Sequence, residues 1–171
     1  MVIQPIIKIG NPFLRQRSVV VVTFGASLQQ LQKDLQDTLL DFRARLGYGR
    51  GISAVQIGVL SRVIYIKTEE FEEMLVNSVI VKKSKKMFWT WDSCFSADIA
   101  FFVKVQRHYA ITVEYYDVTG TKKSLETKRD LSELLQHEID HLDGKLFVDY
   151  ITDPAQLAMR EIIEKEKESF L

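Results

Sequence analysis

The sequence predicts an α+β fold, and three observations lead to this prediction. Between residues 27 and 46, apolar side chains recur at steps of three and four, which is the period of a helix with one buried face. Several segments between residues 59 and 127 are rich in β-branched and aromatic residues, which is typical of strands. Capping residues indicate two further helices, which begin near residues 131 and 154. Helices and strands in this order indicate an α+β architecture.

The first predicted helix runs from Ser27 to Leu46. Ser27 and Gln30 have the spacing of a capping box, in which side chains satisfy N–H groups at the start of a helix. Gly47 stands where helices often end in a left-handed residue. The apolar stripe consists of Leu28, Leu31, Leu35, Leu39, Phe42 and Leu46.

Strands are predicted at residues 59–66, 76–81 and 111–118. The third of these alternates Ile111, Val113 and Tyr115 on one face, which is the pattern of a half-buried strand. Gly120 is expected to turn this strand back into residues 122–127 as a hairpin.

The second predicted helix runs from Leu131 to His141 and contains two of the three histidines of the chain. Asp130 and Glu133 have the spacing of a cap and its reciprocal partner. Gly144 follows, just beyond the expected end of the helix.

A third helix is predicted from Pro154 towards Glu168. Asp153 has the position of its cap, and Pro154 would occupy the first helical position, where proline is tolerated. Gln156 would complete a capping box with Asp153.

Length and composition indicate one soluble domain, residues 1–171. Hydrophobic residues make up 46% of the chain and charged residues 27%, near the average for globular proteins. Lys plus Arg (23) balance Asp plus Glu (23), so no net charge attracts nucleic acid or an anionic membrane. The one cysteine, Cys94, cannot form an internal disulfide, and no leader or bilayer-length apolar run is found. A cytoplasmic protein, acting as a monomer, is therefore expected.

The strongest chemical signal is the string QHEIDH at residues 136–141. His137 and His141 are four residues apart, so a helix places both imidazoles on one face, where they can bind one metal ion. Glu138 lies between them and can reach a water on that metal without being a ligand. A bare match of this kind also occurs in helices whose histidines are merely structural. A catalytic metal needs a third ligand, and Cys94 is the only thiol available.

Three ordered motifs resemble those of the peptide deformylase family. Residues 49–56 read GRGISAVQ, residues 92–96 read DSCFS and residues 136–141 read QHEIDH. They are similar to GxGLAAxQ, EGCLS and QHExDH of that family, in the same order. The resemblance extends from Asn11 to Asp149. It implies a deformylase-like fold in which mixed or antiparallel strands surround the helix that carries the HExDH motif.

The resemblance also implies an activity and its residues. Cys94, His137 and His141 would bind one divalent metal, Fe(II) first, with Zn or Ni as alternatives. Glu138 would carry the proton from water to the departing amine. The side-chain amide of Gln56 and the backbone N–H of Phe95 would stabilise the tetrahedral intermediate. The chain would then be a hydrolase in protein biosynthesis that removes the formyl group from N-terminal formylmethionine of peptides.

The expected substrate pocket departs from the family, where it is mostly aliphatic. A gapless count from the motifs places Arg50, Thr90, Asp92, Asp130, Glu133 and Leu134 there, beside Gly51 and Ile52. Buried charges against a thioether are unfavourable, so these residues pair, face solvent or recognise a polar group. Ser53, Asp92, Ser93 and Phe95 also replace Ala, Glu, Gly and Leu of the motifs.

Several functions therefore remain open at this point. The alternative to an ordinary deformylase is a hydrolase of the same fold that acts on a different, polar formyl-amide or small-acyl-amide substrate. A metal-binding protein with little or no turnover is a third hypothesis. An endopeptidase with the same helix motif is disfavoured, because the short chain leaves little room for an extended cleft.

Overall fold

The computed structural model of the chain describes residues 2–168. Within them lie three α-helices, α1 (Ala26–Leu46), α2 (Asp130–Leu142) and α3 (Arg160–Glu168). The strands are β1 (Gly51–Ser53), β2 (Val63–Lys67), β3 (Glu72–Lys83), β4 (Met87–Asp92), β5 (Phe101–His108), β6 (Ala110–Tyr116), β7 (Lys122–Lys128) and β8 (Leu157–Met159). Short 3-10 helices occur at Pro12–Arg15, Ala54–Ile57, Phe95–Ala97, Phe147–Tyr150 and Pro154–Gln156.

The strands form two sheets, with α2 between them. The larger sheet has the order β1-β2-β3-β6-β7 and the smaller one β4-β5-β8, and neighbouring strands are antiparallel. Helix α2 contacts β1, β2 and β7 of the larger sheet and β5 of the smaller one. The predicted α+β fold, with antiparallel strands around the helix that carries residues 137–141, is confirmed. No helix within residues 2–168 is both long enough and apolar enough to cross a bilayer.

Helix α1 packs its apolar stripe on the larger sheet, as its periodicity predicts. The stripe contributes Leu28, Leu35, Leu39 and Phe42 to a buried cluster that also contains residues of β1, β2 and β3. Burying each of these side chains contributes about 1.5–3 kcal/mol. Their contacts explain why a helix with many polar residues is stable at this place.

The predicted end of α1 is confirmed and its predicted start is wrong. Gly47 has φ 74° and donates its N–H to Arg43 O at 3.0 Å. At the start, Gly25 is the cap and no side chain caps the helix. Ser27 therefore lies inside the first turn, and the Gln30 side chain donates to Asp34 Oδ1 at 2.8 Å instead of completing a capping box.

The predicted hairpin is confirmed as β6 and β7, with Gly120 at φ 87° in the turn. On its buried face, β6 packs against α2 through Ile111, Val113 and Tyr115. The strand predicted at residues 59–66 begins later, at Val63, because Val59 donates its N–H to Ala54 O within a loop. The strand predicted at residues 76–81 is longer, Glu72–Lys83.

Helix α2 is almost entirely buried, and its start also differs from the prediction. Arg129 precedes the helix with φ 54°, and no side chain caps it. Glu133 turns away from the helix start and contacts the Arg50 guanidinium at 2.6 Å. The predicted capping pair of Asp130 and Glu133 is therefore wrong. The predicted glycine after the helix is confirmed, since Gly144 has φ 73°.

The C-terminal helix predicted from Pro154 is interrupted. Asp153 does cap the segment, accepting the Ala155 N–H at 2.8 Å, but the capped segment is only the 3-10 helix Pro154–Gln156. Residues 157–159 then form β8, which pairs with the edge of β5, and α3 begins at Arg160. Pairing with that free edge satisfies backbone groups that a continuous helix would have left unpaired on the sheet.

Replacing Gly144 is expected to destabilise the protein more than replacing Gly47. Both glycines have left-handed φ values, so alanine costs about 1–2 kcal/mol at either position. A Cβ at Gly144 would also clash with the backbone oxygen of Arg15, whereas a Cβ at Gly47 meets nothing within 4 Å. Urea unfolding should show a loss of about 2–5 kcal/mol for Gly144→Ala and about 1–2 kcal/mol for Gly47→Ala. Equal losses would contradict this packing of the turn after α2.

Candidate metal centre and substrate cavity

Three buried side chains with metal-binding atoms converge where α2 meets the loop after β4. His137 and His141 lie one turn apart on α2, with ring centroids separated by 4.9 Å. Sγ of Cys94 lies 3.2 Å from Nε2 of His141. The ligand atoms of all three residues lie within 4.8 Å of one another. One thiolate and two imidazoles are a donor set that suits zinc and iron, and three protein ligands leave a position for water or substrate.

Cys94 is held in place by the backbone around it. It immediately precedes the 3-10 helix Phe95–Ala97, and its Sγ accepts the Ser96 N–H at 3.4 Å. The N-terminal segment crosses this region, where Ile9 N–H donates to Ser96 O and Ile7 N–H to Gln56 O, both at 2.8 Å. The segments that carry Cys94 and Gln56 are therefore tied to the same N-terminal segment.

A buried ion network lies behind the histidines. Arg107 Nη2 donates to Asp92 Oδ2 at 2.8 Å, and Arg107 Nη1 donates to Asp140 Oδ2 at 2.6 Å. The other Asp92 oxygen lies 2.8 Å from Nδ1 of His137. Burial opposes ionisation of Asp92, but His137 and Arg107 outweigh it and lower the pKa of Asp92 to about 2. Because Nδ1 of His137 faces this carboxylate, Nε2 is the ring atom left to coordinate a metal.

The two histidines have opposite pKa shifts. Burial tends to lower the pKa of His137, but the Asp92 carboxylate outweighs burial and raises this pKa well above its ordinary value. Burial, and after it the neighbouring His137, lower the pKa of His141 well below its ordinary value. Nδ1 of His141 is buried without a hydrogen-bond partner among residues 2–168. A neutral His141 with its Nε2 beside the thiol is the form that binds a metal.

Glu138 is a buried carboxylate at the edge of this centre. Ser53 Oγ donates to Glu138 Oε2 at 2.6 Å and lies 3.1 Å from the Glu138 backbone oxygen. Burial raises the pKa of Glu138, opposed by His137 and by the Ser53 hydrogen bond. A Cβ at Gly51 would lie 2.8 Å from Glu138 Oε1, so β1 packs closely against the carboxylate. A carboxylate with a raised pKa beside a metal-binding cluster can act as a general base.

Gln56 and Phe95 both adjoin Cys94. Gln56 Oε1 accepts the Ser53 N–H at 2.9 Å, which orients the side chain. Gln56 Nε2 then lies 3.3 Å from both Cys94 Sγ and Ser96 Oγ. Phe95 is the first residue of its 3-10 helix, so its backbone N–H has no partner within that helix. Its ring packs on Phe42 with centroids 4.8 Å apart, which leaves the backbone rather than the ring near the thiol.

A cavity of about 110 Å³ opens beside the cluster, and Gln56, Cys94, Phe95, His137 and Glu138 line it. Of the residues predicted to bind substrate, Arg50, Gly51, Asp92 and Glu133 line this cavity. Ile52 is completely buried in the core instead, and Asp130 lines a separate outer groove together with Arg50. Aromatic walls come from Tyr48, Trp91 and Phe102.

Sequence reasoning missed two residues of the site. Arg107 follows Val103 and Val105 on the buried face of β5. A charged residue on an apolar strand face indicates a buried ion pair, so the sequence does contain a signal for it. For Ser53 the sequence indicates only a replacement of the alanine of the motif, and only the folded structure brings its hydroxyl to Glu138.

Comparison with known proteins identifies the family. The family model described as polypeptide deformylase matches residues 3–156. A peptide deformylase of Rhizobium meliloti is 38% identical over 157 residues, which cover 89% of this chain and 87% of the relative. A peptide deformylase of Thermomicrobium roseum is 35% identical over 178 residues, which cover 99% of this chain and 96% of the relative.

Solved structures agree with the sequence matches. A peptide deformylase from Legionella pneumophila superposes with a TM-score of 0.80 at 33% identity, over 98% of this chain and 95% of that one. A peptide deformylase from Synechococcus elongatus, solved in complex with actinonin, superposes with a TM-score of 0.83 at 26% identity, over 95% of this chain and 85% of that one. The family suggested by the three motifs is thus confirmed. The chain belongs to the polypeptide deformylase family, metal-dependent hydrolases that remove the formyl group from nascent peptides.

Proposed function

We propose that this chain performs its deformylation at the cavity beside α2, with Cys94, His137 and His141 as metal ligands. The observation that carries the proposal is the convergence of these ligand atoms within 4.8 Å of one another, next to the Glu138 carboxylate. Fe(II) is proposed as the native metal from the family resemblance, and Zn(II) or Ni(II) suits the same donors. A divalent metal held there would lower the pKa of a water and polarise the formyl carbonyl.

Glu138 is proposed to move the proton. Its Oε2 is held by Ser53 Oγ at 2.6 Å, so the carboxylate has a fixed orientation. Its other oxygen, Oε1, faces β1 at Gly51, the strand that borders the cavity. From this place the carboxylate would take a proton from the attacking water and deliver it to the departing amine. The raised pKa of Glu138, caused mainly by burial, makes the carboxylate a better base.

Gln56 and Phe95 are proposed to stabilise the tetrahedral intermediate. The Gln56 amide is fixed by the Ser53 N–H and directs its Nε2 to the thiol side of the cavity. The Phe95 N–H starts a 3-10 helix directly after the metal-binding cysteine. Two such donors at the carbonyl oxygen would contribute about 3–4 kcal/mol each to the stabilisation of the transition state.

We further propose that the protein acts as a monomer in the cytoplasm, on an N-formylated peptide such as one that begins with formylmethionine. Its one cysteine is assigned to the metal, so no disulfide requires an oxidising compartment. The equal numbers of basic and acidic residues give no reason to expect a nucleic acid as partner.

Glu138→Gln is expected to lower kcat by about 10²–10⁴-fold while leaving one metal ion bound, because the proton carrier is lost and the ligands remain. Cys94→Ala should instead lose the metal. Metal analysis and turnover of formyl-Met-Ala-Ser by anaerobically prepared Fe(II) protein measure both effects. Glu126→Gln, which changes an exposed glutamate on β7, is the matched control and should behave as wild type. Near wild-type activity in Glu138→Gln would refute the proposed role.

Ser53→Ala tests whether the serine orients Glu138. Loss of the 2.6 Å hydrogen bond should lower kcat about 3–10-fold, with KM and metal content unchanged, since a hydrogen bond contributes about 0.5–1.5 kcal/mol. Ser78→Ala is the control, because Ser78 is equally buried and its Oγ has no partner among residues 2–168. A kcat equal to that of wild type in Ser53→Ala would show that the contact is not used in turnover.

A further inference from the structure

We propose that the ion pair of Arg50 and Glu133 selects the substrate side chain, and that the cavity prefers a carboxamide side chain, such as glutamine, over methionine. The inference rests on the proposed function, because it names the substrate class of the same site. An aliphatic pocket would have the opposite preference, since an apolar wall favours a thioether over an amide.

The pair lies directly beside the reacting groups. Glu133 precedes His137 by four residues on α2, so its side chain lies on the same face, about 5–6 Å away along the helix. Arg50 adjoins Gly51, the residue whose Cα faces the Glu138 carboxylate. Arg50 and Glu133 both line the cavity that contains Cys94 and Glu138. A substrate whose formyl group reaches the metal centre therefore places its first side chain within reach of the pair.

The other two charged residues that the sequence predicted for this pocket, Asp92 and Asp130, direct their carboxylates elsewhere or lie outside the cavity. Both Asp92 oxygens are directed to Arg107 and His137, at 2.8 Å each. Asp130 lines the outer groove and not the cavity. Besides the proposed base Glu138, the ionic groups that a substrate side chain would meet are thus those of Arg50 and Glu133.

The pair retains unused hydrogen-bonding capacity. The Arg50 side chain is 47% exposed and the Glu133 side chain 6% exposed. Among residues 2–168, the one hydrogen bond of the two side chains joins Arg50 Nη2 to Glu133 Oε2 at 2.6 Å. A guanidinium has five N–H donors and a carboxylate two acceptor oxygens. The pair therefore offers a substrate hydrogen-bond donors on Arg50 and a hydrogen-bond acceptor, Oε1 of Glu133.

These groups discriminate between side-chain classes. A thioether would remove water from the pair and replace none of its hydrogen bonds, which is costly for charged groups. A carboxylate would meet Glu133 and an ammonium would meet Arg50, so each is repelled by one member of the pair. A carboxamide accepts from Arg50 and donates to Glu133 without adding a charge. Its methylene groups would pack on the remaining apolar wall, which includes Trp91 and Leu134.

The test measures binding separately from turnover. Zn(II)-loaded Glu138→Gln protein is titrated calorimetrically with four peptides of the form formyl-Xaa-Ala-Ser, where Xaa is Gln, Met, Glu or Lys. We expect the Gln peptide to bind about tenfold more tightly than the Met peptide, and more tightly than the Glu and Lys peptides. Tightest binding of any other peptide, or four indistinguishable constants, would overturn the inference.

Variants assign the preference to the pair. In the Glu138→Gln background, Arg50→Ile with Glu133→Ile should reverse the order of the Gln and Met peptides, because the polar wall becomes aliphatic. Both residues are changed together, since either alone would leave an unpaired charge in the cavity. Arg43→Ile, which removes an arginine from the outer groove only, should keep the wild-type order. If the double variant fails to fold, the order measured on the unaltered cavity still decides the inference.

Turnover by the wild-type holoenzyme separates the two proposals. If none of the four peptides is hydrolysed although the metal is bound, the assignment of catalysis to this cavity fails, while the binding order still tests the role of the pair. If formyl-Met-Ala-Ser is hydrolysed and also binds most tightly, deformylation at this site stands and the preference for a carboxamide is wrong.

Discussion

The buried guanidinium of Arg107 constrains how the segment that carries Cys94 lies relative to the helix that carries the two histidines. Its side chain is 2% exposed, and burial of a charge that cannot be neutralised requires partners, which are Asp92 at 2.8 Å and Asp140 at 2.6 Å. Asp92 ends β4 two residues before Cys94, and Asp140 adjoins His141 on α2. Pairing both carboxylates with one arginine of β5 therefore holds the thiol and the histidine helix at a fixed separation.

Three of the carboxylates in this region, those of Asp92, Glu138 and Glu133, differ in their neighbours. Arg107 and His137 keep Asp92 ionised, so its negative charge favours a fixed orientation of His137. Burial raises the pKa of Glu138, which has a serine rather than a cation as its hydrogen-bond partner. Burial and Asp92 raise the pKa of Glu133, and Arg50 opposes that rise. These different surroundings suit the three carboxylates to the roles proposed for them, which are orientation of His137 by Asp92, proton transfer by Glu138 and substrate contact by Glu133.

Local patterns predicted the elements, and contacts distant in sequence produced the errors at the candidate site. Helix geometry alone predicts that the apolar residues of α1 share one buried face and that His137 and His141 share one face of α2. Both predictions were correct. The spacing of Asp130 and Glu133 also fits a capping box, yet the Glu133 side chain pairs with Arg50, which is 83 residues away in the sequence. No rule based on neighbouring residues in the sequence predicts that contact. The same limit applies to Ser53, whose partner Glu138 is 85 residues distant. Cys94 was a candidate third ligand as the only thiol, and the family resemblance supplied the stronger reason to join it to the two histidines.

The central claim is that one thiolate and two imidazoles hold the catalytic metal. X-ray absorption spectroscopy of the Fe(II) protein measures this coordination shell directly. We expect one sulfur at about 2.3 Å, two nitrogens at about 2.0–2.2 Å and one exchangeable oxygen, and loss of the metal in Cys94→Ala. A shell of nitrogen and oxygen ligands without sulfur, or a shell unchanged in Cys94→Ala, would contradict the account.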